Sequence, residues 1–153
     1  MSNVERSARR LCQTREAHDE VTSMKEKTGE KIQIMLVDDE EIVGKRLKSS
    51  LEKDGYSIEF FLTGAEALKR LGEKHFDIVV TDIRIDEIDG LEILDAVMES
   101  SPDTKTIMIT GYATAEIARE AMAKGAFDFI AKPFRPKDLK EVILKAAKRL
   151  AGN

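Results

Sequence analysis

Residues 76–82 read Phe76-Asp77-Ile78-Val79-Val80-Thr81-Asp82, an almost unbroken apolar run that closes on an acid. So short a run, rich in β-branched side chains and apolar at successive positions, is the pattern of a strand buried on both faces of a parallel sheet. Outward from it, residues 32–37, 56–62, 106–110 and 127–131 have the same character, which makes five candidate strands with 76–81 as the third. The segments between them are apolar at three- and four-residue steps. Val43, Leu47 and Leu51 mark the first helix, Leu91, Leu94, Val97 and Met98 the third, and Leu139, Val142, Ile143, Ala146 and Leu150 the last. Thr63 with Glu66 makes a capping box that opens the second helix. Gly55 and Gly125 fall where the first and fourth helices should stop, since glycine tolerates the left-handed conformation there, and Pro136 suits the first turn of the fifth. Strands alternating with helices mean a parallel sheet with right-handed crossovers, hence a doubly wound α/β domain.

Composition narrows the classes. The 153 residues fit one domain with a substantial core, and 42% hydrophobic with 35% charged residues is globular composition, not that of a disordered chain. A net charge of −4 and the lack of a basic stripe argue against direct nucleic-acid binding. Cys12 is the single cysteine, so no intrachain disulfide or multi-cysteine metal site can form. Residues 1–10 lack the apolar core of a signal peptide, and no run reaches the ~18 apolar residues of a spanning helix. A cytoplasmic protein with no membrane segment is expected. Residues 1–30 carry six acidic and six basic side chains without a sustained period and are read as a tail, disordered or partly helical, ahead of a folded domain at 31–153. A coiled-coil arm would need heptads that are absent.

In an open parallel sheet, ligands bind at the carboxyl ends of the strands. The first strand ends in Val37-Asp38-Asp39-Glu40-Glu41, the third in Thr81-Asp82, the fourth in Ile109-Thr110-Gly111 and the fifth in Ala131-Lys132-Pro133. If strands 1 and 3 are neighbours, Asp38, Asp39 and Asp82 converge. Two carboxylates ~4 Å apart repel by about 4 kcal/mol at an effective dielectric near 20, so the cluster needs protons or a cation. Hard oxygen ligands with room for water suit Mg²⁺. Lys132 adds a fixed positive charge and Thr110 a hydroxyl donor, so one carboxylate can act as a nucleophile toward phosphorus. Taken singly, each residue has an ordinary structural reading: an acid after a strand often caps a helix, a lysine is often a solvated surface charge, and a threonine often only completes a strand. Five such groups on one rim point to chemistry.

These residues in this order resemble the receiver domain of bacterial two-component response regulators, over residues ~31–150. The matching pieces are Val37-Asp38-Asp39-Glu40, Thr81-Asp82 with Asp89-Gly90, Thr110-Gly111-Tyr112 and Lys132-Pro133-Phe134. Residues 109–114 and 124–129 are most similar to receivers of the nitrogen-regulation type. The resemblance implies a flavodoxin-like sheet of order 2-1-3-4-5 and a phosphoacceptor at Asp82. It implies Mg²⁺ held by the Asp39 and Asp82 carboxylates and the Arg84 backbone carbonyl, with Asp38 acting through a metal-bound water. Thr110 and Phe129 would form the switch pair, although an aromatic near a strand end is usually core. Lys132 would contact the phosphoryl group, and the Lys132–Pro133 bond would be cis. Gly111 would leave Asp82 accessible. The implied partners are a histidine kinase or phosphotransfer protein as donor and an output protein that reads the face of helix 4, strand 5 and helix 5, residues 115–150. A phosphorylation-dependent homodimer is a further expectation.

Departures matter as well. Ile85-Asp86-Glu87-Ile88 stands where the family often has Met-Pro. Arg84 and Tyr112 occupy positions that tune hydrolysis of the acyl phosphate in the family, and their bulk implies a long-lived phosphoform. His18, His75 and Cys12 are read as structural, solvent-facing or inert. Two competing readings stand beside the switch. One is a haloacid-dehalogenase-type phosphohydrolase, whose acid/base carboxylate is missing because Ile83-Arg84 follows Asp82. The other is a phosphorylation-independent adaptor, which usually lacks an acid or the lysine. A dinucleotide enzyme is disfavoured, since no Gly-x-Gly-x-x-Gly follows the first strand. The switch itself is expected to catalyse only its own phosphorylation and slow dephosphorylation. With Asn153 close behind the last helix, a stand-alone regulator and a fragment of a longer protein both remain open.

Overall fold

The structure, a computed structural model, describes residues 31–83, 89–111 and 114–152. The tail reading of residues 1–30, with Cys12 and His18, lies outside the described residues, as do Arg84, Asp86, Glu87 and Tyr112. Among the described residues, five strands alternate with five helices: β1 (Gln33–Val37), α1 (Glu41–Lys53), β2 (Ser57–Phe61), α2 (Gly64–Leu71), β3 (Ile78–Asp82), α3 (Gly90–Ser100), β4 (Lys105–Thr110), α4 (Ala115–Ala123), β5 (Asp128–Ala131) and α5 (Pro136–Ala151). All pairings are parallel and the order is β2-β1-β3-β4-β5. The doubly wound fold and the 2-1-3-4-5 order are thus as expected from the sequence.

The centre of the sheet is dry because its sequence is apolar at consecutive positions. All five residues of β3 are buried, and burying each Ile or Val side chain is worth about 1.5–3 kcal/mol relative to exposure. Met35, Val37 and Val79 pack with Phe76, with Ala67 of α2 and with Ile93 and Val97 of α3. Ile83 and Met108 pack with Leu94 of α3, Ala121 of α4 and Ala126. Helices α1 and α5 pack on each other, and Gly44 of α1 sits so close to Phe60 of β2 that a Cβ there would lie 2.0 Å from the ring.

The helix punctuation follows local physics. Thr63 accepts a hydrogen bond from the Glu66 amide at 3.2 Å, and Gly55 and Gly125 adopt φ of 94° and 105°, conformations that side chains with a Cβ resist. All five strand starts differ from the sequence reading by one or two residues: β1 begins at Gln33, after Ile32, and β4 at Lys105, before Thr106. Tyr56, Phe76 and Phe127 precede their strands, because each is apolar enough to be read into the run but packs or bonds at the sheet's amino edge before the ladder begins. The buried stripe of α5 also differs: Leu144 and Ala147 are buried, while Val142 and Leu150 are half-exposed. No described helix is long and apolar enough to cross a membrane.

Candidate functional site

The register brings the charged strand ends together. Val37 pairs with Thr81, so Asp38, the next residue, reaches the level of Asp82, and adjacent strands lie only ~4.8 Å apart. Asp82 pairs with Ile109 and Thr110 with Ala131, which places Thr110 and Lys132 on the same rim. Asp38 and Thr110 are fully buried and Asp82 is 6% exposed. Burying carboxylates is costly unless they are paired.

The pairing comes from one ammonium group. Lys132 Nζ donates to Asp82 Oδ2 at 2.8 Å, to Asp38 Oδ2 at 2.9 Å and to Glu40 Oε1 at 3.1 Å. Burial works against the charge of Lys132, but its hydrogen bonds to Asp82 and Asp38 outweigh that and hold its pKa above the ordinary lysine range. The backbone anchors both ends of the bridge. Lys132 N donates to the Thr110 carbonyl at 2.8 Å, and the Lys132–Pro133 bond is cis. Asp38 N donates to the Phe61 carbonyl at 3.1 Å, and Asp38 Oδ1 accepts from Glu40 N at 2.9 Å.

Acids outnumber the cation. Asp39 stands exposed on the rim, and partial burial, then the charges of Asp38 and Asp82, push its carboxyl above the usual range against the pull of Lys132. Oxygens of Asp38, Asp39 and Glu40 lie within 4.8 Å of one another. A cluster of hard oxygens beside water, with excess negative charge, fits a hard divalent cation such as Mg²⁺.

Access and support are set by two glycines. Gly111 is exposed, and a Cβ on it would meet nothing within 4 Å. Gly90 opens α3 directly against the end of β3: its amide donates to the Ile83 carbonyl at 2.7 Å. Asp89 caps that helix by accepting from Glu92 N at 3.0 Å.

Phe129 is partly buried on the cluster of Ile83, Leu94, Met108, Ala121 and Ala126, beside Met108 in register. His75 is exposed before β3. The structure therefore brings Asp38, Asp39, Asp82, Thr110 and Lys132 onto one rim, with Phe129 two residues before its edge. The sequence reading assigned no role to Glu40. The available signal was that Glu40 is the N-cap of α1 yet makes no side-chain capping bond, and glutamate is not among the residue types that cap well.

Comparison with known proteins agrees with this arrangement. A family model described as the response regulator receiver domain matches residues 34–144. The response regulator receiver protein CpdR of Brucella abortus is 36% identical over 112 residues, covering 73% of this chain and 93% of that protein. A response regulator receiver domain protein (CheY-like) from Methanospirillum hungatei superposes with a TM-score of 0.77 at 31% identity, covering 80% of this chain and 98% of that one. The receiver domain of NtrC4, solved as a beryllofluoride-activated dimer, superposes at 0.73 with 34% identity, covering 77% and 98%. The chain spans only 22–24% of the length of several curated regulatory proteins that it also matches.

Proposed function

The chain belongs to the response regulator receiver domain family, and from that membership we propose that it is a two-component switch that accepts a phosphoryl group on Asp82. The observation that carries this reading is the bridge from Lys132 to Asp82 and Asp38 at 2.8 and 2.9 Å. It orients a carboxylate that is almost wholly buried yet sits on an open rim. In the reaction an Asp82 carboxylate oxygen bonds to phosphorus, while the bond from phosphorus to the donor's nitrogen or oxygen breaks and the electron pair leaves with the donor. The new group carries about −1.5 to −2 charge and three acceptor oxygens. Lys132 and the Thr110 hydroxyl are the donors that would receive them.

Asp39 and Asp82, the Arg84 carbonyl and, through water, Asp38 would hold Mg²⁺. Bound there, it supplies positive charge to the transferring oxygens. As Thr110 turns toward the phosphoryl group, Phe129 moves further into the space behind it, and the surface of α4, β5 and α5 changes. A partner or a second copy reads that surface; the beryllofluoride-activated NtrC4 receiver domain is a dimer. The donor is a histidine kinase or a phosphotransfer protein in the cytoplasm. The chain acts on no external substrate: it promotes its own phosphorylation and slow hydrolysis, with Arg84 and Tyr112 prolonging the phosphoform.

Intact mass after incubation with acetyl phosphate, with and without Mg²⁺, tests the reading on wild type and Asp82→Asn. Label on wild type only, and only with Mg²⁺, is expected, together with a change in oligomer size or partner binding. Wild type without label would support an adaptor, and rapid turnover of small phosphate esters a phosphohydrolase.

A further inference from the structure

We propose that Glu40 is a positioning residue: an anionic latch that occupies the third N–H of Lys132 before phosphorylation and must release it for the phosphoryl group to be bound. The inference rests on the reading of Asp82 as phosphoacceptor. An ammonium group has three donors, and Lys132 points one each at Asp82, Asp38 and Glu40, at 2.8, 2.9 and 3.1 Å. A phosphoryl oxygen arriving on Asp82 therefore finds Lys132 saturated, and one carboxylate has to let go.

The surroundings decide which. The Asp38 side chain is fully buried, and its second oxygen is held by the Glu40 amide. Asp82 carries the new group itself. The Glu40 side chain is 58% exposed and is the longest of the three contacts, so water takes it up at least cost. Glu40 is also spared the usual duty of its position, since it caps α1 without a side-chain bond to the helix. Its own amide is tied to Asp38, which fixes the backbone from which the side chain reaches Lys132. Entry of the phosphoryl group thus exchanges one acceptor of Lys132 for another, and the released carboxylate moves to solvent beside the amino end of α1.

An exposed ion pair is worth up to about 1 kcal/mol, so removing the latch should speed labelling by roughly two- to five-fold. The test measures labelling by acetyl phosphate at saturating Mg²⁺ for wild type, Glu40→Gln, Glu40→Asp and Glu41→Gln. Glu41 is the control: it is the next residue, pairs with Lys45 at 2.8 Å and carries the same charge without contacting Lys132. Acceleration in Glu40→Gln and in Glu40→Asp, which keeps the charge but loses reach, with no change in Glu41→Gln, is the expected result. The ¹⁵N signal of the Lys132 ammonium should shift in both Glu40 variants and not in Glu41→Gln.

Acceleration in Glu40→Gln but not Glu40→Asp would overturn the latch in favour of plain repulsion of the donor. Glu40→Gln behaving like Glu41→Gln would overturn it outright. A tenfold or larger loss of Mg²⁺ affinity in Glu40→Gln would make Glu40 a metal ligand instead. Absence of label on every variant and on wild type would sink the phosphoacceptor reading together with the latch, which separates the two failures.

Discussion

A Cβ on Gly90 would lie 2.3 Å from the backbone carbonyl oxygen of Asp82 and 2.9 Å from Ile83 Cα. The first residue of α3 is thus pressed onto the backbone of Asp82. Backbone cannot swing aside as a flexible side chain can.

Gly90→Ala should therefore push α3 away from β3 and cost about 1–3 kcal/mol, as overpacking does. Urea unfolding gives the loss, and acetyl phosphate labelling should slow along with it. An unchanged unfolding midpoint would mean that α3 is not seated on Asp82 in solution.

Lys132 is 16% exposed at the side chain and answers two carboxylates that are more buried still. Lys132→Met leaves those charges facing one another, and a destabilisation of about 2–3 kcal/mol is expected, below the full cost of breaking a buried pair because the lysine is partly wet. Mg²⁺ should restore part of it by replacing the lost charge. Unfolding midpoints with and without Mg²⁺ check both statements, and a larger Mg²⁺ effect on wild type than on the variant would contradict them.

On the acid rim, Asp39 has its folded-state pKa raised above 3.8 by burial and by the neighbouring Asp38 and Asp82. Its ionised form therefore opposes folding at neutral pH, and that opposition fades as pH falls through the raised value toward 3.8. Asp39→Asn should be more stable than wild type at pH 7 without Mg²⁺. The gain should shrink both on acidification and on saturation of wild type with Mg²⁺, as thermal melts across pH would record.

At the alkaline end, desolvation and then the charge of Asp54 push the Tyr56 hydroxyl from 10.0 up to about 12. The unfolded chain loses this proton first, so stability falls as pH rises from 10 toward 12. Lys132, also raised, adds in the same direction above its ordinary 10.5. Tyr112→Phe leaves Tyr56 as the one tyrosine reporter of the two in the chain. Its phenolate absorbance should develop near pH 12, and a step at the ordinary value would show that Tyr56 is open to solvent.

Much of this fold can be read without coordinates, because short runs of Val and Ile that alternate with amphipathic helices are the pattern of a parallel sheet covered on both faces. The acids and Lys132 were readable too, since strand ends in such a sheet share one rim. Less legible was anything that depends on how closely elements approach. Nothing in the letters Asp89-Gly90 tells how near α3 comes to Asp82, and the poor fit of Glu40 as a cap for α1 does not by itself name Lys132 as its partner. Strand starts at Tyr56, Phe76 and Phe127 were misplaced because hydrophobicity reports burial, while a strand is defined by its ladder. Thr104 illustrates the point: its hydroxyl donates to the Phe76 carbonyl at 2.6 Å, doing with a side chain what the ladder does for the residues that follow.

Asp82 is the last rung of β3 and not part of a loop: it pairs with Ile109, and the next amide, Ile83, still bonds to the Ile109 carbonyl at 3.0 Å. On the proposed reading, the charge is thus gained at a paired residue of the central strand, which has little slack of its own. Any accommodation has to be made by what surrounds it, a hydroxyl, an ammonium and a ring mounted on β4, β5 and the turn after them. For the proposed switch, this means that the input is spent on moving those neighbours and not on moving the strand end.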